Sequence, residues 1–340
     1  MKVLITGGCG FIGSNLAIFL KKRKYKVLSL DNLFRRGSKL NEKKLKQYKI
    51  KNIKSNINEI NKLKIGKFDI IIDCCAEPSV EASKKDLDRV IDTNFLGTFS
   101  LLKKCIKDKS NLIFLSTSRV YSIDAINKFF KKKIVLNKIN LKKEIDLKFS
   151  TQSPRSVYGF TKLASEELIK ELSYVFDFKY IINRLGVIAG PGQMGKVDQG
   201  FISLWTWRHL KKSSLKYIGF GGNGNQVRDV LHIDDLNELI LKQIKKINKI
   251  NNTVFTAGGG KLNLISLKKL TELCEKLSGN KISFTKIKKT SYYDIPYFCT
   301  SNLAVSKIYN WKPKKSVLDI VRDTLNWQKK EYKLIKNFID

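Results

Sequence analysis

The segment Thr6-Gly7-Gly8-Cys9-Gly10-Phe11-Ile12-Gly13 limits what this chain can fold into more than any other. It satisfies G-x-G-x-x-G through Gly8, Gly10 and Gly13, and G-x-x-G-x-x-G through Gly7, Gly10 and Gly13. The apolar run 2–6 before it has strand length, and 11–22 after it has helical length and spacing. Strand, glycine turn and helix in that order aim backbone N–H groups and the positive helix end at a pyrophosphate. A glycine turn alone can also be structural. Here, however, a second strand, 26–30, ends at Asp31, 18 residues beyond Gly13. A carboxylate at that tip accepts from both ribose hydroxyls of NAD and repels a 2′-phosphate. Arg35 and Arg36 nearby keep NADP open as the alternative.

Further apolar runs at 68–75, 111–116 and 179–183 read as strands, and 87–107 and 156–175 as helices. This alternation predicts an α/β fold, a Rossmann-type doubly wound parallel sheet covered on both faces. Beyond about residue 185 the pattern loosens into glycine-rich turns at 190–192, 219–224 and 258–260. That predicts an N-terminal NAD-binding domain over 1–184. A smaller, mixed substrate lobe would follow over 185–340, with some segments returning to the first domain. The lysine-rich, weakly patterned stretch 122–150 reads as a long loop or flap.

Composition removes several classes. The six cysteines include the adjacent pair Cys74-Cys75, which is no disulfide framework and points to a reducing compartment, the cytoplasm. With two histidines far apart, His209 and His232, and no C-x-x-C, no metal site is expected. No apolar run is long enough to span a membrane, and the N-terminal run lacks the basic leader and cleavage site of a signal peptide. The 66 basic against 30 acidic residues give +36, enough to attract nucleic acid or an anionic substrate. The lysines are scattered rather than clustered, so a solvated surface is expected and no nucleic-acid partner.

The chemistry centres on two segments. Ser116-Thr117-Ser118-Arg119-Val120-Tyr121 ends the 111–116 strand, and Ser156-Val157-Tyr158-Gly159-Phe160-Thr161-Lys162 opens a long helix. Tyr158 and Lys162, four apart, share a helix face. A neighbouring ammonium and a positive nicotinamide both favour phenolate, so Tyr158 could take an alcohol proton while hydride leaves the same carbon. Thr117, at the carboxyl end of a central strand, could hydrogen-bond the same oxygen. Tyr-x-x-x-Lys is cheap in so lysine-rich a chain, and Tyr332 and Lys336 match it too. Tyr158 and Lys162 stand apart because they follow the glycine turn, the acid and the Ser/Thr strand end in order.

Taken together, these residues resemble the extended short-chain dehydrogenase/reductase family, in particular its nucleotide-sugar epimerases and dehydratases. Residues 1–16, Asp31-Asn32-Leu33, Asn94-Phe95-Leu96-Gly97-Thr98, 117–121 and 158–162 carry the likeness over nearly the whole chain. The resemblance implies NAD held by Gly7, Gly10, Phe11, Ile12, Gly13, Asp31, Asn32 and Arg36. Asn56, Ile57, Cys75, Ala76, Tyr158 and Lys162 would complete that site. It implies catalysis by Thr117, Tyr158 and Lys162, with Glu77, Thr117, Gln199 and Arg228 on a nucleotide-diphosphate sugar. The stretches 31–37, 198–200 and 222–232 are most similar to members that act at C2 of CDP-sugars. Dehydratases of the family carry an Asp-Glu pair after the threonine; Ser118-Arg119 stands here and argues against water loss. Relatives also imply a homodimer or homotetramer packed through 87–107 and 156–175. Two alternatives stay open: a UDP-hexose 4-epimerase, and a noncatalytic member of the fold that binds RNA.

Overall fold

The computed structural model describes residues 1–134 and 143–339. The chain forms two compact units: Met1–Val120, Val157–Arg184 and Asn237–Phe255 make the first, and Tyr121–Ser156, Leu185–Leu236 and Thr256–Asp340 the second.

The first unit is built on a seven-stranded sheet whose strands, numbered in chain order, are β1 (Lys2–Thr6), β2 (Lys26–Leu30), β3 (Lys51–Ile53), β4 (Ile70–Asp73), β5 (Asn111–Thr117), β6 (Tyr180–Leu185) and β10 (Thr253–Ala257). They lie in the order β3-β2-β1-β4-β5-β6-β10. β1 runs parallel to β2 and β4, β2 to β3, and β4 to β5. Both faces are covered, which is why the sequence shows continuous rather than alternating apolar runs. Leu4, Ile71, Leu112, Phe114 and Ile182 from the strands interlock with Leu101, Leu102 and Ile169 from the helices in one buried cluster. The chain runs outward from β1 to β3 and returns to start β4 on the other side of β1. That switch opens a crevice at the carboxyl ends of β1 and β4, where such sheets bind ligands.

In the second unit β9 (Val227–His232) is central. It pairs antiparallel with β11 (Leu264–Ser266) and parallel with β7 (Val187–Ala189) and β13 (Tyr297–Phe298). A parallel pair, β8 (Leu215–Ile218) with β12 (Phe284–Ile287), stands apart. The sheet is drawn together at the buried Asp229, whose Oδ2 accepts from Gly260 N at 2.9 Å. A Cβ at Gly258 would come within 2.4 Å of that carboxylate, so only glycine lets the neighbouring turn close on it.

Against the boundary expected at 184, residues 121–156 group with the second unit, while 237–255 return to the first, a returning segment of the kind expected, and carry most of β10. The stretch 122–150 is not simply a loop: Ile123–Ile134 is helical. Ile123, Ile126 and Phe130 are buried at helical spacing, a stripe obscured in the sequence by the surrounding lysines. Residues 135–142 of that stretch, and Asp340 at the end of the predicted lobe, lie outside the described residues. No helix among the described residues is long and apolar enough to cross a membrane.

Candidate active site

The glycine turn is packed too tightly for side chains. Gly7 has φ +61°, and a Cβ there would stand 2.7 Å from Cys74 O; one on Gly13 would stand 2.3 Å from Gly7 O. Gly10 N donates to Gly7 O at 2.9 Å, and Gly10 caps the helix Phe11–Lys22 without a side chain. Bare backbone therefore faces the crevice at a helix N-terminus, the surface a pyrophosphate requires.

Asp31 lies beside this turn. Cys9 N donates to its Oδ2 at 3.0 Å and Leu33 N to its Oδ1 at 2.7 Å. Burial pushes its carboxyl pKa up, while these two N–H donors and Arg35 oppose that shift. Each carboxylate oxygen keeps a lone pair for a hydroxyl. Asn32 Nδ2 donates to Asn56 Oδ1 at 2.7 Å, so two of the expected cofactor residues form one amide pair. Ile57 is buried and would be struck at 2.5 Å by a Cβ on Gly97. Phe11, Ile12, Cys75 and Ala76 are half-buried, and Arg36 is exposed.

Tyr158, Lys162 and Thr117 all belong to the first unit and are all buried. The Thr117 hydroxyl is a hydrogen-bond partner of the Tyr158 phenol, and Thr117 Oγ1 also accepts from Arg119 N at 3.2 Å. Burial raises the phenol's pKa above its ordinary value; Thr117, Arg119 and Arg35 pull the other way. Burial lowers the pKa of Lys162, against the nearby buried Asp73. Its Nζ lies 4.3 Å from the Phe114 ring centroid, and it has no protein hydrogen-bond acceptor or ion-pair partner among the described residues. A buried ammonium without an acceptor suits hydroxyl groups brought by a ligand.

Three buried networks fix these side chains. The Ser116 hydroxyl donates to Glu166 Oε1, and Glu166 pairs with Arg184, Nη2 to Oε2 at 2.8 Å, tying the end of β5 to the helix Val157–Phe176. Asp73, at the end of β4, accepts from Thr6 Oγ1 at 2.7 Å and Cys75 N at 3.0 Å. Asn94 sits in a π-helical turn, Asp92–Leu96. Its Oδ1 accepts from Glu77 N at 2.8 Å, and its Nδ2 donates to Glu77 O and to Thr161 Oγ1, each at 3.2 Å. It fastens the segment after β4 to the helix bearing Tyr158. Asn94 entered the sequence reading only as part of a family landmark; its side-chain role had no local signal beyond Thr98, which donates to its carbonyl.

Two of the expected substrate residues already have ionic partners. Glu77 is gripped by Arg35 at 3.1 Å and faces Arg89 at 3.6 Å. In the second unit, Arg228 Nη2 pairs with Asp294 Oδ1 at 2.9 Å and Nη1 donates to Val227 O. Gln199 closes a tight turn with Lys196.

The family model described as "NAD dependent epimerase/dehydratase family" matches residues 3–258. The chain is 28% identical to a CDP-paratose 2-epimerase of Salmonella typhi, over 96% of this chain and 99% of that one. It is also 28% identical to a UDP-glucuronate 4-epimerase of Thermodesulfobacterium geofontis, over 98% of both. The solved structure of UDP-glucuronic acid 4-epimerase from Bacillus cereus, in complex with UDP-glucuronic acid and NAD, has the same fold. Its TM-score is 0.81 at 24% identity, covering 98% of this chain and all of that one.

Proposed function

The chain belongs to the NAD dependent epimerase/dehydratase family and is an NAD-dependent enzyme of its nucleotide-sugar epimerase branch, and on that premise we propose that it inverts C2 of a CDP-sugar. The observation that carries this reading is the pairing of Thr117 with Tyr158, one helical turn from Lys162, whose ammonium has no acceptor or ion-pair partner among the described residues, with no carboxylate at 118 or 119. NAD supplies the hydride acceptor and donor when bound. Tyr158 receives the hydroxyl proton and later returns it, and Thr117 hydrogen-bonds the same oxygen. Lys162 donates to ribose hydroxyls, and the bare turn Gly7–Gly13 with Asp31 holds the dinucleotide. With no acid or base beside Thr117 to expel water, the sugar leaves with its hydroxyls intact. Arg228 binds the diphosphate, for which its fork geometry is suited, exchanging Asp294 for phosphate oxygens. Gln199 and Glu77 contribute to the sugar side. Exposed Leu96, Phe99 and Phe160 support self-association through the helices that carry them.

The second reading, a UDP-sugar 4-epimerase, is favoured by equal identity to the 4-epimerase relative. CDP-, UDP-, GDP- and dTDP-sugars should be tested in turn, following sugar stereochemistry by NMR in D2O. The C2 reading expects CDP-sugars alone to raise the unfolding temperature and to be inverted at C2 without gaining solvent deuterium. Inversion of a UDP-hexose at C4 would replace it with the second reading.

A further inference from the structure

Where a dehydratase would place an acid after Thr117, this chain places a cation. The turn Ser118–Val120 leads directly from the end of β5, and Arg119 N donates to Thr117 Oγ1 at 3.2 Å. The same turn is pressed onto the helix carrying Tyr158, since a Cβ on Gly159 would lie 2.1 Å from Arg119 O. Nothing but glycine fits there, so the backbones next to Arg119 and Tyr158 are locked together. Arg119 is half-buried.

The charged groups around the phenol come from several elements. Arg119 comes from the turn, Arg35 from the segment after β2, and Glu77 from the segment after β4. Lys162 lies one turn further along the phenol's own helix; burial lowers its pKa and the charge of Asp73 opposes that. Arg35 and Glu77 largely cancel, being joined at 3.1 Å. Arg119 sits in the turn packed directly against the residue after the phenol, and its charge favours the phenolate.

We propose that Arg119 is a positioning residue for Tyr158: its guanidinium favours the phenolate, and its backbone N–H fixes the rotor of Thr117 so that the hydroxyl proton faces the phenol. This duty is additional to that of Lys162, which addresses the cofactor. The proposal rests on the reading of Tyr158 as the proton acceptor.

The test needs no sugar, so its failure is separable from failure of the substrate reading. Phenolate ultraviolet difference spectra of the NAD-loaded protein are recorded across pH, and those of Tyr158→Phe are subtracted to isolate Tyr158. Arg119→Gln and Arg119→Met should each move the Tyr158 midpoint upward by on the order of one pH unit, as loss of a close, partly solvated unit charge requires. Arg119→Lys should restore most of the wild-type midpoint. All three should retain NAD, which establishes folding. With any accepted sugar, the acid limb of kcat should shift in the same direction while KM stays nearly constant. Neutral variants that titrate with the wild type overturn the proposal. So does a lysine variant that shifts as far as the neutral ones, or a wild-type Tyr158 that ionises no earlier than the other tyrosines.

Discussion

Lys162 carries a stability cost that its proposed role at the cofactor would explain. It is 1% exposed, and its ammonium has no protein acceptor among the described residues. Lys162→Met should stabilise the cofactor-free protein by about 1–2 kcal/mol while weakening NAD binding, the usual exchange at a functional site. Burial lowers the lysine's pKa in the folded state, so there the folded protein binds fewer protons than the unfolded one. Wild-type stability should therefore rise as pH climbs from the lowered value towards the ordinary lysine pKa, and the Met variant should lack that rise. Thermal melts across that range, without NAD, check both effects. Tyr158→Phe is expected to cut turnover by about 10³-fold with NAD still bound, measured as epimer interconversion. That Thr117, Tyr158 and Lys162 belong to one candidate site was legible in the sequence, because residue type and spacing single them out. Asn94 and Asp73 were not, because their partners, Glu77, Thr161 and Thr6, are fixed only by the fold.

Among the elements, glycines decide where strands, turns and helices can meet. Gly159→Ala would force the helix Val157–Phe176 off Arg119 O, at a cost of about 1–3 kcal/mol. It should lower kcat more than it lowers NAD affinity, because it shifts Tyr158 but not the dinucleotide turn; calorimetry and kinetics on one preparation would separate the two. Removing one partner of the buried pair Glu166–Arg184, as in Arg184→Met, should cost about 3–5 kcal/mol in a urea melt. The strands 2–6 and 26–30 were read to the residue because turns and charges bracket them. The run 68–75 was read too long, since β4 is Ile70–Asp73 and the chain turns away after Asp73, whose carboxylate accepts from Cys75 N. The helix Ile123–Ile134 was missed because Lys128 and Lys131-Lys132-Lys133 mask its apolar spacing in the sequence.

Across the whole molecule, charge opposes compactness. Among the described residues only Lys104 and Lys162 of the lysines are buried, so a formal +36 is carried almost wholly at the surface. Self-repulsion of that size predicts an unfolding temperature that rises with added sodium chloride through the first few tenths molar, as the Debye length shrinks. A flat or falling curve in a salt series would contradict it. The chain passes between its two units five times, and the last strand of the large sheet is drawn from residues 253–257. The sheet therefore cannot be completed on the ribosome until three quarters of the polypeptide has been made. Gene fusion or truncation at a single junction cannot detach one unit from the other, so new specificities in such a chain must arise by substitution in place and not by exchange of modules.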